Sequence, residues 1–308
     1  MARKRRGRPV HGWLVLDKPL YMSSAQAVAK VRRLLDAQKA GHGGTLDPLA
    51  TGVLPVALGE ATKTVGWAMD GLKTYRFTVR WGEARTTDDA EGEVSATSPE
   101  RPSAAAIAAV LPRFTGEILQ RPPAFSALKL GGERAYDLAR AGATVELEPR
   151  PARIERLSLI ALPDPDHAEF EAVVGKGTYI RALARDIALA LGTLGHVTAL
   201  RRTRVGPFGE AEAISLENIA SLVHSPRPFE HLLPVETALD DIPALAVTEA
   251  EADRLRCGQA VLPLRPSDRA ILLELGNGHS VRATCGNKLV ALARIADGTI
   301  RPVRVLNH

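Results

Sequence analysis

Two cysteines, Cys257 and Cys285, stand alone in 308 residues. They cannot build a disulfide framework or a Cys-rich zinc site. His167-Ala168-Glu169 imitates half of a zinc deaminase motif, but the Pro-Cys-x-x-Cys half is missing, and so is any H-E-x-x-H run. Long apolar runs are absent too. The longest, Ala104–Leu111, is mostly alanine and falls far short of the roughly eighteen residues that a membrane span needs. The basic N-terminus has no hydrophobic stretch behind it, which excludes a secretory signal and points to the cytoplasm. Phosphate-cradling loops fail as well. Gly41-His42-Gly43-Gly44-Thr45-Leu46 lacks the third glycine of a dinucleotide fingerprint, and no glycine precedes a Lys-Ser or Lys-Thr pair at Walker spacing. There is no G-x-S-x-G. Dehydrogenase, hydrolase and metalloenzyme readings fall together, and neither a cofactor nor a metal is expected.

What is present is ordinary globular material with a basic bias. Hydrophobic residues make up 45% and charged residues 24% of the chain, enough for real cores and too apolar for bulk disorder. Lys plus Arg number 40 against 35 Asp plus Glu, a formal charge of +5, which suggests a mild preference for polyanions. The cations fall into groups: Arg3, Lys4, Arg5, Arg6 and Arg8 in an arm over residues 1–10, then Arg150, Arg153 and Arg156, then Arg201, Arg202 and Arg204. Asp88, Asp89, Glu91 and Glu93 around Gly92 read as an exposed loop.

Periodicity places the elements. Trp13–Leu16 reads as a strand, followed by a helix opened by a Ser23/Gln26 capping box, with Val28, Val31, Leu34 and Leu35 on one face. The segment Gly41–Gly52 is a loop by composition. Val53–Leu58 and Thr74–Trp81 are strands, and Ser103 caps an alanine-rich helix to Leu111. Phe170–Val174 is a strand leading into the clearest helix, where Ile180, Leu183, Ala184, Ile187 and Leu191 form a stripe ended by Gly192. Strands and helices mix without regular βα alternation, so the fold class is α+β: a mixed, mainly antiparallel sheet flanked by helices. The proline-rich stretch Ser225–Pro243 marks the boundary between residues 1–243 and a smaller unit, 244–308. That unit has a helix at Glu249–Leu255 and then apolar strands cut by turns, a small β-barrel-like module.

The segment with the densest chemistry runs from Gly41 to Lys63. It presents one carboxylate, Asp47, before Pro48, which biases it towards an extended backbone. The glycines ahead of it permit close approach of a large substrate to the main chain. Taken alone, Asp-Pro also reads as a simple turn start.

This run resembles the active-site motif of the TruB family, bacterial tRNA pseudouridine synthases that act on the uridine at tRNA position 55. The resemblance extends in order over nearly the whole chain. It takes in Asp17-Lys18-Pro19 with Met22-Ser23-Ser24, then Lys73-Thr74-Tyr75 and Ser126-Ala127-Leu128-Lys129. It continues through Gly177-Thr178-Tyr179-Ile180-Arg181 and Leu200-Arg201-Arg202-Thr203, and ends in a tail similar to an RNA-binding PUA module. The resemblance implies that Asp47 is the catalytic aspartate, paired with Arg181. Tyr75 would stack on the target base, Tyr179 and Leu200 would line the uracil pocket, and Lys18 would sit nearby. His42 would wedge into the T-loop. Lys63, Arg201 and Arg202 would bind RNA phosphates, and an insertion over residues 121–152 that carries Lys129 would clamp the RNA. Two positions depart from the family pattern: Tyr21, where Gly is common, which puts the local turn in doubt, and Phe125, where Tyr is common. The implied partner is the tRNA T-arm, with no membrane, no obligatory protein partner and a monomeric chain. A guide-RNA-dependent synthase subunit and a tRNA-folding chaperone without catalysis are the rival readings; the clamp argues against the first, and Asp47 with Arg181 against the second.

Overall fold

The computed structural model describes residues 7–126, 128–130, 133–134, 147–223, 225–263 and 265–307. The arginines at the start of the N-terminal arm and the middle of the clamp, 135–146, lie outside the described residues. In chain order the strands of the larger unit are β1 (Gly12–Lys18), β2 (Ala40–His42), β3 (Ala50–Leu58), β4 (Lys73–Trp81), β5 (Glu83–Arg85), β6 (Val94–Thr97) and β7 (Gly116–Gln120). They continue with β8 (Lys129–Leu130), β9 (Glu133–Arg134), β10 (Arg150–Asp164), β11 (His167–Val174), β12 (Gly195–Val205) and β13 (Phe208–Gly209). Nine of them form one sheet in the order β1-β3-β12-β4-β11-β10-β7, with β2 beside β3 and β13 beside β12. β12 runs parallel to β3, with Leu200 opposite Ala50, and the other pairs are antiparallel. This is the mixed, mainly antiparallel α+β sheet that the sequence implied.

Burial explains the strand sequences. β1 and β3 are covered on both faces and read as continuous apolar runs. β4 alternates, with Phe77, Val79 and Trp81 buried at its far end. Helix α1 (Ser24–Leu34) begins with the Ser23/Gln26 capping box, and Ser103 caps α3 (Ala104–Val110), which tightens into a 3₁₀ turn at Leu111–Phe114. Between them lies the short α2 (Val65–Asp70). The helix Ile180–Ala190 lays Ile180, Leu183, Ala184 and Ile187 on the core that also holds Phe77 and Phe170. Gly192, at φ +75°, follows its end.

In the larger unit two expectations change. The loop around Asp47 is shorter than composition suggested, because β2 occupies its start and β3 begins at Ala50. The acidic stretch is a loop between the paired β5 and β6 and is exposed only in part: Glu91 and Glu93 face solvent, Asp88 is half-buried and Asp89 is 7% exposed.

The C-terminal residues form a four-stranded sheet, β14 (Ala244–Ala246), β15 (Ser280–Cys285), β16 (Lys288–Ala296) and β17 (Thr299–Val305). A second helix, Pro266–Leu275, with proline at its first position, stands between the helix Glu249–Arg256 and β15, a region where the sequence suggested only strands and turns. The stretch 225–243 is not a loose linker. Trp13 and Leu233 exchange both backbone hydrogen bonds, and Val235 and Leu239 are buried with Trp13, Phe208, Leu289, Leu292 and Leu306 in one shared core.

Candidate active site

The site is built around the loop joining β2 to β3. Three groups anchor it from beneath. Ser24, at the start of α1, accepts from the Leu46 N–H at 2.8 Å and donates to the Leu46 carbonyl at 2.9 Å. Lys18, fully buried at the end of β1, donates to the carbonyls of Pro19 and Met22 at 2.8 and 2.7 Å and reaches that of Pro48 at 3.5 Å. Arg202 on β12 donates through Nε to the Val53 carbonyl at 2.8 Å, through Nη1 to that of Thr45 at 3.3 Å and through Nη2 to that of Gly44 at 3.0 Å. β12 passes so close to β3 here that a Cβ on Gly52, at φ +98°, would stand 2.2 Å from the Arg202 carbonyl, so only glycine fits. With several of its carbonyls bonded by buried side chains the loop is held in place, and it delivers Asp47 with 40% of its side chain exposed.

Arg181 meets it from the first turn of the helix Ile180–Ala190. Its side chain is 7% exposed, and Nε lies 3.0 Å from Asp47 Oδ2. Nη1 faces Asp89 Oδ2 at 3.6 Å and donates to the Thr87 carbonyl at 2.9 Å, while Nη2 donates to that of Phe125 at 2.9 Å. Asp89 is itself fixed by the Thr87 hydroxyl at 2.5 Å and the Glu91 N–H at 3.0 Å. One buried cation is therefore shared by two carboxylates and held in orientation by two carbonyls. Behind it, burial pushes the Asp88 carboxyl up despite its ion pair with Arg185 at 2.8 Å. Asp89 and Thr87 escape a reading of the sequence. The sequence shows only an acidic run, whereas their burial depends on an arginine brought in from a distant helix.

Asp47 and Arg181 border a cleft of about 700 Å³ that His42, Leu46, Glu91, Glu93 and Ser126 also line, a size suited to a nucleotide-sized group. Leu200 lines a small recess against Asp47, Asp89 and Arg181. Tyr75 is half-buried and, like Leu200, packs against the two cores on either side; it is not among the residues lining the cleft. Tyr179 caps the Arg181 helix, its N–H bonded to the Gln120 side chain at 2.8 Å, and burial raises its hydroxyl pKa. Burial, then Arg202, lowers the pKa of His42 and favours a neutral ring. Its Nδ1 has no hydrogen-bond partner among the described residues. Burial pulls Lys18 down to about 8, with Asp47 opposing and Arg202 assisting.

Three cations meet surroundings that differ from the phosphate-binding expectation. Arg202 is 1% exposed and has its donors committed to carbonyls, so it braces the loop from inside and is not open to RNA. Lys63 pairs with Glu60 at 2.6 Å and donates to the Val305 carbonyl at 2.8 Å, tying the two units together. Arg201 is half-exposed but bridged to Asp17 and Glu210. Lys129 lies on β8, where the backbone alone is described. Tyr21 does not break its turn: it takes φ +58°, the conformation that glycine adopts freely.

With this geometry in place, likeness to known proteins carries weight. The family model "TruB family pseudouridylate synthase (N terminal domain)" matches residues 32–180, and "tRNA pseudouridylate synthase B C-terminal domain" matches 181–240. The chain is 56% identical to tRNA pseudouridine synthase B of Rhodospirillum rubrum over the full length of both proteins. It is 58% identical to the protein of that name from Bradyrhizobium diazoefficiens, over 99% of this chain and 88% of the other. Among solved structures, a chain of a Cbf5-Nop10-Gar1 complex matches with TM-score 0.74 and 27% identity, over 96% of this chain and 84% of that one. A carboxylate loop locked to a buried arginine, on a sheet shared with relatives of this closeness along the entire sequence, leaves one assignment: the chain belongs to the TruB family of pseudouridylate synthases.

Proposed function

We propose that this chain isomerises uridine to pseudouridine at position 55, in the T-loop of tRNA, with Asp47 as its catalytic carboxylate. The observation that carries the reading is Asp47 held 3.0 Å from a nearly buried Arg181 at the edge of an open cleft; the relatives named tRNA pseudouridine synthase B support the substrate. In the reaction the N1–C1′ bond breaks, the base turns in place and a C5–C1′ bond forms. The proton at C5 is lost and N1 gains one, so atoms balance without a redox partner. One carboxylate serves this chemistry as nucleophile or proton acceptor. Arg181 engages Oδ2 and leaves Oδ1 for the substrate. Swinging the uridine out of the loop costs a few kcal/mol, and one aromatic stack returns about 1–3 kcal/mol, the part assigned to Tyr75, with Leu200 and Tyr179 enclosing the base. His42 is the group that fills the vacated space in the loop.

In this reading residues 244–308 act as a PUA-like RNA-binding unit, and the protein works in the cytoplasm as a monomer without an obligatory partner. A guide-RNA-dependent subunit is the second reading and has the weaker support: the chain is 27% identical to one from a Cbf5-Nop10-Gar1 complex, against 56% to the tRNA pseudouridine synthase B of Rhodospirillum rubrum. The purified chain, given a T-arm hairpin transcript and no guide RNA, separates the two: pseudouridine at position 55 is expected. Asp47→Asn is expected to abolish product while hairpin affinity stays within a few fold. Product from the variant removes Asp47 from the chemistry, and no product from the native chain removes the stand-alone reading.

A further inference from the structure

Tyr21 combines three features that a structural role does not explain. Its backbone is left-handed, φ +58°, a region that costs energy for any residue with a Cβ and is rare for an aromatic. The residue is 79% exposed, so little packing within the chain offsets that cost. Its N–H is bonded to the Pro48 carbonyl at 2.9 Å, one residue from Asp47.

The position is specific. Leu20 lines a groove of about 330 Å³ on one side, and Ser23 lines the catalytic cleft on the other; Leu49, next to Pro48, lines both. Residues 20–23 and 48–49 are thus a ridge between two depressions, and Tyr21 stands in the ridge. Lys18 fixes the ridge from below through the Pro19 and Met22 carbonyls. A solvent-facing aromatic on a braced backbone, beside a cleft proposed to receive RNA, suits base stacking, because every base offers a π-face and stacking tolerates sequence. Strain at a fixed position points to a function when an outlier is observed first.

We propose that Tyr21 is an RNA-contact residue: its ring stacks on an unpaired base of the substrate loop outside the catalytic cleft, next to the nucleotide that enters it. The proposal rests on the function proposed above. Tyr21 then orients the RNA without touching the reacting uridine, so its loss weakens binding and spares the chemical step.

The test uses the full-length chain and the T-arm hairpin. Tyr21→Gly frees the backbone, so the fold is kept at or above native stability; Tyr21→Phe keeps the ring. Expected are a fivefold to hundredfold loss of hairpin affinity for Tyr21→Gly, about the range of one base stack, affinity within about twofold for Tyr21→Phe, and single-turnover rates at saturating enzyme within a few fold for both. Abasic substitutions along the loop identify the partner: at one position outside the target, native and Tyr21→Gly proteins bind equally. Native affinity in Tyr21→Gly overturns the proposal, as does a loss that no abasic position equalises. A native chain that forms pseudouridine beside an unaffected Tyr21→Gly condemns the stacking role alone, whereas a native chain that neither binds nor converts the hairpin condemns the functional reading with it.

Discussion

Arg181 Nε sits 3.0 Å from Asp47 Oδ2 while Nη1 of the same guanidinium faces Asp89 Oδ2 at 3.6 Å. The two carboxylates come from different loops and differ in access: 40% of the Asp47 side chain is exposed against 10% of that of Asp89. The buried carboxylate sets the position of the cation, and the cation sets the position of the exposed carboxylate.

Asp89→Asn tests that chain of support. The amide keeps an oxygen for the Thr87 hydroxyl and the Glu91 N–H but withdraws the charge, so Arg181 shifts towards Asp47. Misplacement of a reacting group by about 1 Å costs on the order of 10²-fold in rate. The single-turnover rate is expected to fall about 10- to 100-fold with hairpin affinity within about threefold. A native rate in the variant would leave Asp89 with no part in positioning.

How far the sequence reaches is visible in neighbouring residues. Capping at Ser23 and Ser103 and the stripe along Ile180–Ala190 are local patterns, and they are legible because a helix writes its own period. Arg201 and Arg202 are adjacent and chemically identical, yet the strand turns one to solvent and the other inward; which face of β12 is covered is a tertiary fact. Asp89 belongs to an acidic run that looks like a solvated loop until the helix of Arg181 packs over it. β16 reads as an apolar strand, but nothing local tells that Val290 and Ala291 face its own unit while Leu289 and Leu292 face the larger one.

Arg202→Lys separates bracing from RNA binding. Lysine retains the charge that a phosphate would need and cannot reproduce the guanidinium's contacts with the carbonyls of Val53, Thr45 and Gly44. Leaving buried groups unpaired costs about 1–3 kcal/mol each, so a loss of about 2–4 kcal/mol in urea unfolding is expected. The slope of log affinity against log salt should stay native, since no phosphate contact is lost. A shallower slope with full stability would return Arg202 to the RNA interface.

Lys18 gives a pH dependence of defined sign. Burial, with Arg202 adding and Asp47 opposing, brings its pKa from 10.5 to about 8. Below about 8 both folded and unfolded chains carry the proton, and the cost of burying the charge is present in full. Between about 8 and 10.5 the unfolded chain holds more protons, so the Lys18 contribution to stability rises with pH. Lys73 shifts the same way, to about 8, through burial and then Arg202, so the comparison must be with Lys18→Met rather than native protein alone. The urea midpoint of native protein relative to Lys18→Met is expected to increase from pH 7 to pH 9.5. A constant difference would show that Lys18 has ordinary basicity.

The shared core predicts that the two units unfold together. Leu289, Leu292 and Leu306 of the smaller unit are buried with Trp13, Phe208 and Val235 of the larger, and Lys63 and Glu60 clasp the Val305 carbonyl and the Asn307 N–H. Separate melting would expose that apolar surface to water in the surviving unit, at about 25 cal/mol per Å². The chain supplies reporters for both halves: its three tryptophans, Trp13, Trp67 and Trp81, lie in the larger unit, and the half-buried Cys285 lies in the smaller. In a Cys257→Ser background, tryptophan fluorescence and Cys285 alkylation should give coincident urea midpoints, the mark of one cooperative transition. Leu292→Ala should lower both midpoints together, corresponding to a stability loss of about 2–5 kcal/mol. Alkylation at a clearly lower urea concentration than the fluorescence change would mean that the smaller unit melts alone and that the interface contributes little. In that case a chain ended at Pro243 would stay soluble; with a shared core it is expected to aggregate.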